Sequence, residues 1–219
     1  YGLGKSGIST FKFLKKRADV YLFDDNQKPN LKIITINQLI KIKFDRIIIS
    51  PGIDISNCKL SKFLNKNLDK IYTDLDVFYS FYKNTSIAIT GTNGKSTTAK
   101  ILFDILTDQK KDVRLIGNIG NPALSEKKIS KKTFFVIEVS SYQLEYSKIF
   151  SAKYAVILNI SVDHIERHKN LKNYVNAKFK LLDSQNDKSF AFVKKNDQLI
   201  NKKIRKNKFK PKIYKVDTL

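Results

Sequence analysis

At 219 residues the chain can bury a sizeable core in one or two domains, and its 42% hydrophobic and 11% aromatic content is that of a globular protein. No apolar run approaches the ~20 residues of a membrane span, and the single cysteine, Cys58, excludes an internal disulfide and fits a reducing compartment. The formal charge of +22 raises the question of nucleic acid, but the positives are nearly all lysine, five are arginine, and they run along the whole chain. We therefore expect a lysine-solvated surface that helps to attract anionic nucleotides, a cytoplasmic location, and neither a nucleic-acid nor a membrane partner.

Residue 1 is not Met, no methionine occurs, and Tyr1-Gly2 opens inside a motif, so the sequence reads as a piece of a longer chain. Gly2-Leu3-Gly4-Lys5-Ser6-Gly7 matches G-x-G-x-x-G and leads into a helical pattern through Ile8, Phe11, Phe13 and Leu14. Val20 to Phe23 reads as a strand ending in Asp24-Asp25. In a dinucleotide-type fold the glycines admit a pyrophosphate, and an acid about 20 residues on bonds a ribose hydroxyl, the place held by Asp24. The strand that should precede Gly2 is missing. Ile47 to Ile49 reads as a buried strand, and the following Ser50-Pro51-Gly52 is either a ligand-facing edge or a plain strand-ending turn. A helix near Lys59 to Asn67, a short strand near Ile71 and an aromatic helix from Leu75 to Tyr82 come next. A domain boundary falls between about 68 and 85, at the polar break Lys83-Asn84-Thr85.

Ile87 to Ile89 then runs straight into Gly91-Thr92-Asn93-Gly94-Lys95-Ser96-Thr97 and a helix through Ile101, Leu102, Ile105 and Leu106. That is strand, phosphate loop, helix. Backbone N–H groups and a helix N-terminus close around an anion, Lys95 reaches the terminal phosphates, and the Ser96 hydroxyl ligates Mg²⁺. The usual pattern starts with a glycine where this chain has Ile89; here the first glycine is Gly91. Three further strands deliver polar residues to one sheet edge: Val113 to Ile116 before Gly117-Asn118, Phe134 to Val139 carrying Glu138 before Ser140, and Ala155 to Ile160 before Asp163 and His164. A carboxylate inside an apolar strand is costly unless paired or metal-bound, which makes Glu138 a Mg²⁺ ligand candidate. His164 and His168 lack the Glu of a zinc-hydrolase pair, since residue 165 is Ile. His164 is thus a single ligand or hydrogen-bonder, and His168 a surface residue. A helix follows from Leu171 to Leu182 with Lys178 among its polar positions. Strands over Phe190 to Val193 and Ile213 to Val216 flank a basic stretch, Lys202 to Lys210, expected as a solvated loop or hairpin.

With those residues in hand, the chain resembles the Mur ligases, the ATP-dependent amide-forming enzymes of peptidoglycan precursor synthesis. Gly91 to Thr97 looks like that family's phosphate loop, which explains the absent first glycine. Gly117 to Leu124, Glu138 to Glu145 and Asn159 to Arg167 with Asn176-Ala177-Lys178 are most similar to the branch that adds D-glutamate to UDP-N-acetylmuramoyl-L-alanine. The resemblance implies an α/β fold with a Rossmann-like UDP-sugar domain over 1–73, its first strand missing. A phosphate-loop central domain over 74–219, truncated, would follow. It implies that Lys5, Ser6, Asp24 and Ser50 hold the sugar nucleotide, with Asn118 and Ser140 along the substrate. Gly91, Thr92, Asn93, Gly94, Lys95, Ser96 and Thr97 would bind ATP. Ser96 and Glu138 would hold one Mg²⁺, and His164 with a carbamylated Lys178 a second. Lys95, His164 and Lys178 are the implied catalytic residues, in a monomer. Such ligases carry a further domain for the amino acid, so this piece is not expected to complete the reaction alone. The other readings are a different Mur-type ligase, a folylpolyglutamate synthase, a nicotinamide-dependent oxidoreductase read from Gly2 to Gly7, and a basic nucleic-acid module.

Overall fold

The structure, a computed structural model, describes residues 1–26 and 30–217. In the first part, the glycine loop feeds α1 (Lys5–Leu14), and a short α2 (Ile36–Leu39) starts from a Thr35–Gln38 capping box. β1 (Ile47–Ile48), α3 (Ser61–Asn65) and β2 (Ile71–Tyr72) follow, the two strands paired in parallel. Backbone bonds extend the pairing: Tyr1 N to Ile48 O at 2.7 Å, Gly2 N to Phe23 O at 3.0 Å and Ile34 N to Leu22 O at 2.9 Å. The segments therefore lie in the order 33, 22, 1, 48, 71. The strand expected over Val20 to Phe23 amounts to a single bridge, Leu22 to Ile33. Val20, Tyr21, Arg46 and Ile47 border a cavity of about 570 Å³.

α4 (Asp74–Phe81) links the two parts, capped by Thr73 and Asp76. The second part alternates β3 (Ser86–Thr90), α5 (Lys95–Asp108), β4 (Val113–Gly117), β5 (Phe134–Glu138), α6 (Ser141–Glu145) and β6 (Tyr154–Ile157). It continues through α7 (Ile165–His168), α8 (Leu171–Asp183), β7 (Phe190–Lys194), α9 (Gln198–Lys206) and β8 (Lys212–Val216). The strands form one parallel sheet in the order β4-β5-β3-β6-β7-β8. Its faces are both covered, as the continuous apolar runs require. Ala88, Phe135, Ile137, Ala155 and Ile157 pack on one side with Tyr174, Val175 and Phe179 of α8. Ile89 and Val136 pack on the other with Ala99 of α5. The basic stretch is a helix rather than a loop or hairpin. Asp197 caps α9 through Ile200 N, and Ile200 and Ile204 turn one stripe onto the core while the lysines stay outside.

The two parts are sewn together at α4. The buried Asp76 carboxylate accepts from Thr73 N and from Lys148 N, Ile149 N and Phe150 N, at 2.9–3.0 Å, with the Ser147 hydroxyl at 2.9 Å. Arg167 adds a second stitch, donating to Ile53 O at 2.6 Å and pairing with Glu145 at 2.8 Å. Among the described residues no helix is long and apolar enough to cross a membrane.

Candidate functional site

Parallel register brings the C-terminal ends of β3, β5 and β6 to one edge, with Ile89 opposite Glu138 and Val156. The loop leaving β3 is held from β6: Thr92 N donates to Asn159 O at 2.9 Å, and the Asn159 side chain exchanges bonds with Asn93 N at 2.9 Å and Asn93 O at 3.1 Å. Gly94 caps α5, so the helix N-terminus opens into this loop with Ser96 and Thr97 exposed. Lys95 folds back, its Nζ donating to Thr92 O at 2.7 Å. An incoming phosphate has only that one bond to displace.

One strand over, Glu138 is 1% exposed. Its Oε1 accepts from Asn118 Nδ2 at 2.7 Å, and its Oε2 is buried without a hydrogen-bond partner. Gly117 makes this possible: at φ +106° a Cβ there would lie 2.2 Å from Glu138 O. An orphaned buried carboxylate oxygen is expensive unless a cation completes it. Among the described residues no three His, Cys, Asp or Glu side chains converge as a ready metal cluster. That donor set suits Mg²⁺, which takes one or two protein ligands and fills its shell with phosphate and water.

On the other side lies Lys178, 1% exposed, with Nζ donating to Gly91 O at 2.7 Å. Burial, and then the charge of Lys95, lower its pKa to about 7, with Asp163 opposing. A good part of this amine is therefore uncharged at neutral pH. Burial is the larger cause and the neighbouring cation the smaller. Tyr174, one helical turn before Lys178, went unnoticed in the sequence. Its hydroxyl lies 3.1 Å from Thr92 Oγ1, and its ring sits under Lys178 Nζ at 4.5 Å. The i, i+4 spacing on α8 was the available signal.

His164 stands exposed at the same edge, its Nε2 3.3 Å from Asp163 and its ring 5.0 Å from that of Tyr142. It adopts φ 50°, ψ 34°, a left-handed conformation costing roughly 1–2 kcal/mol in a residue with a Cβ. His168 is not at the surface. It is 3% exposed, its Nε2 lies 3.0 Å from Ser141 Oγ, and burial lowers its pKa to about 4. The aromatic rings of Tyr142 and Tyr174 pack against it, with centroids at 5.6 and 5.4 Å. Ser140 spends its hydroxyl as the cap of α6, taking Gln143 N at 3.2 Å.

The glycine loop at the start of the chain is a separate cradle. Gly7 is required there, since a Cβ would lie 1.9 Å from Gly2 O. Asp24 Oδ2 accepts from Leu3 N at 2.6 Å, and Ser50 Oγ donates to Gly2 O at 2.6 Å. Both residues thus shape the loop itself. Lys5 is exposed, and Asp74, buried at the start of α4, keeps its Oδ1 without a hydrogen-bond partner among the described residues.

Comparison with known proteins places this architecture. Residues 89–218 match the model described as the Mur ligase middle domain. The chain is similar to the UDP-N-acetylmuramoylalanine--D-glutamate ligase of Rickettsia bellii, 36% identical over 203 residues, covering 88% of this chain and 44% of that protein. It thus spans under half the length of that relative. Among solved structures it is similar to the UDP-N-acetylmuramate:L-alanyl-gamma-D-glutamyl-meso-diaminopimelate ligase of Neisseria meningitides, with a TM-score of 0.63 at 16% identity over 98% of this chain and 75% of the other. The MurF ligase of Thermotoga maritima, in complex with ADP, has a TM-score of 0.51 at 13% identity, covering 81% and 48%. Both share the fold.

Proposed function

The chain belongs to the Mur ligase family, and from that premise we propose that the protein carrying it joins D-glutamate to UDP-N-acetylmuramoyl-L-alanine at the expense of ATP. The observation that carries this reading is the orphaned Oε2 of Glu138 one strand from a phosphate loop whose Ser96 and Thr97 are open. The similarity to D-glutamate ligases supports the choice of amino acid. We divide the chain into a sugar-nucleotide part, 1–73, and an ATP part, 74–219, whose last two residues lie outside the described ones.

A carboxylate is a poor electrophile because it would have to expel oxide. Transfer of the γ-phosphoryl group to the L-alanyl carboxylate gives an acyl phosphate with phosphate as leaving group. The amine of D-glutamate then attacks the acyl carbon, and the tetrahedral adduct loses phosphate and a proton to give the amide. In this scheme the helix N-terminus that opens at Gly94 and the Lys95 ammonium, released from Thr92 O, lie along the transferring phosphoryl group and stabilise its charge. Ser96 and Glu138 would hold one Mg²⁺, and His164 with Lys178 a second; bound there, the ions supply further charge neutralisation. Lys178, largely desolvated and partly neutral, can add through nitrogen to CO₂ and lose a proton, leaving a carbamate. Asn118 fixes Glu138 from behind. Lys5, Ser6, Asp24 and Ser50 frame the sugar-nucleotide loop, with Asn118 and Ser140 between it and the ATP.

The test is phosphate release by the full-length protein with ATP, UDP-N-acetylmuramoyl-L-alanine and a panel of amino acids. D-Glutamate alone should support turnover, and this chain without the rest should not turn over. Preference for a different amino acid would assign the protein to another branch of the family.

A further inference from the structure

We propose that Arg167 is a positioning residue that holds the sugar-nucleotide loop in register with the ATP edge of the sheet, through one guanidinium bonded to the turn beneath that loop. This rests on the reading of Gly2 to Gly7 as the sugar-nucleotide loop. Arg167 lies on α7, three residues after His164, and its side chain is 8% exposed. Its Nε donates to Glu145 Oε2 at 2.9 Å, and its Nη2 lies 2.8 Å from the same oxygen and donates to Ile53 O at 2.6 Å. An ion pair this shielded adds little net stability over an apolar pair of the same size, whereas it fixes a direction.

The direction is toward the loop. Ile53 N donates to Ser50 O at 3.0 Å and closes the turn, and Ser50 Oγ donates to Gly2 O at 2.6 Å. Gly2 sits so close that a Cβ there would lie 2.9 Å from Ser50 Cβ and 3.0 Å from Ile53 Cγ1. A shift of Ile53 is therefore a shift of Gly2. Among the described residues, the bond from Arg167 is the hydrogen bond that reaches this turn from the second part of the chain. The guanidinium carbon also lies 5.2 Å from the ring centroid of Tyr142, and that ring lies 5.0 Å from the ring of His164. One planar group thus touches the turn under the first loop and the ring beside the second site. A cavity of about 290 Å³ borders Arg167, Glu145 and Ser56, so without the guanidinium the turn has room to move. Lysine cannot replace it, since an ammonium is a single point of charge and lacks the planar fork that serves Glu145 and Ile53 together. Phosphoryl transfer to a carboxylate tolerates little error in placement, about a hundredfold in rate for a shift of about 1 Å.

The experiment is steady-state phosphate release by the full-length protein and its Arg167→Lys variant. ATP and UDP-N-acetylmuramoyl-L-alanine are varied in turn with D-glutamate saturating, and rates are divided by the fraction of enzyme that binds ADP in a calorimetric titration. Arg167→Lys should raise KM for the sugar nucleotide about tenfold and lower kcat about tenfold, with KM for ATP within about twofold of its original value. A residue that only held the fold would lower the active fraction and leave the two KM values in their original ratio. Glu145→Gln, which keeps an oxygen for Arg167 and removes the charge, should shift the same constants by a smaller factor, and it decides the matter if Arg167→Lys fails to fold. An unchanged KM ratio in the variants overturns the assignment of Arg167, and so does an equal shift of that ratio in Asp76→Ala, which loosens the seam at α4. Either result leaves the sugar-nucleotide reading intact, because the unaltered protein still turns over. Absence of turnover by the unaltered protein with UDP-N-acetylmuramoyl-L-alanine overturns both.

Discussion

The chain twice runs a glycine loop into a helix, and finishes the two loops differently. The loop at Gly91 is positioned by sheet register and by Asn159 from the neighbouring strand, and it leaves its chemistry unspent: Ser96 and Thr97 exposed, Glu138 Oε2 unpartnered, Lys95 on one backbone carbonyl. The loop at Gly2 rests on two-residue strands and is tied by side chains of neighbouring segments, Asp24 on Leu3 N and Ser50 on Gly2 O. The anchors of the loop at Gly91 are Asn159, Tyr174 and Lys178, so Ser96, Thr97 and one oxygen of Glu138 stay free for a ligand. At Gly2 the side chains that hold the loop, Asp24 and Ser50, are the ones proposed for the ligand, which then has to exchange bonds rather than add them.

The comparison breaks if the two loops respond alike to truncation. Lys95→Ala in the full-length protein should lower kcat by about a thousandfold, because its charge serves the transferring phosphoryl group. Steady-state phosphate release measures this, and a change confined to KM would place Lys95 in ground-state binding instead. The seam between the two parts comes next. Asp76→Ala strands buried donors on Thr73, Lys148, Ile149 and Phe150. It should cost about 3 kcal/mol or more, read from the urea midpoint. Ser6→Ala should raise KM for the sugar nucleotide about tenfold with kcat nearly unchanged. Equal losses in kcat from Ser6→Ala and Lys95→Ala would remove the distinction between the loops.

The same contrast explains what could be read in advance. β3, β5 and β7 were legible almost to the residue, since each is an apolar run between polar or glycine boundaries in a sheet covered on both faces. Val20 to Phe23 has the same look yet forms a single bridge, at Leu22, and one further backbone bond, at Phe23, because a strand is made by its neighbours. Glu138 stood out as a charge in an apolar run. Tyr174 did not, for its meaning lies in Thr92, 82 residues away. The basic stretch misled through its lysines, which conceal the stripe of Leu199, Ile200 and Ile204.

His168 supplies the smallest and sharpest test, because it belongs to the central part yet behaves like the self-tied N-terminal loop. Its imidazole is buried against Ser141, and burial first, then the charges of Arg167, His164 and Lys178, hold its pKa at about 4 in the folded state. The unfolded chain keeps a value near 6.5. As pH falls below about 6.5 the unfolded state takes up the proton first, so stability drops until about pH 4, where both forms are protonated. Between pH 7 and pH 6 the loss should be under about 1 kcal/mol, a fall in Tm of about 2 °C. His168→Gln, which keeps a hydrogen-bonding group toward Ser141 without a titrating ring, should be somewhat less stable at pH 7 and flatter over that interval. If the variant and the unaltered protein lose Tm in parallel, the acid sensitivity arises elsewhere, and His168 carries no proton cost on folding.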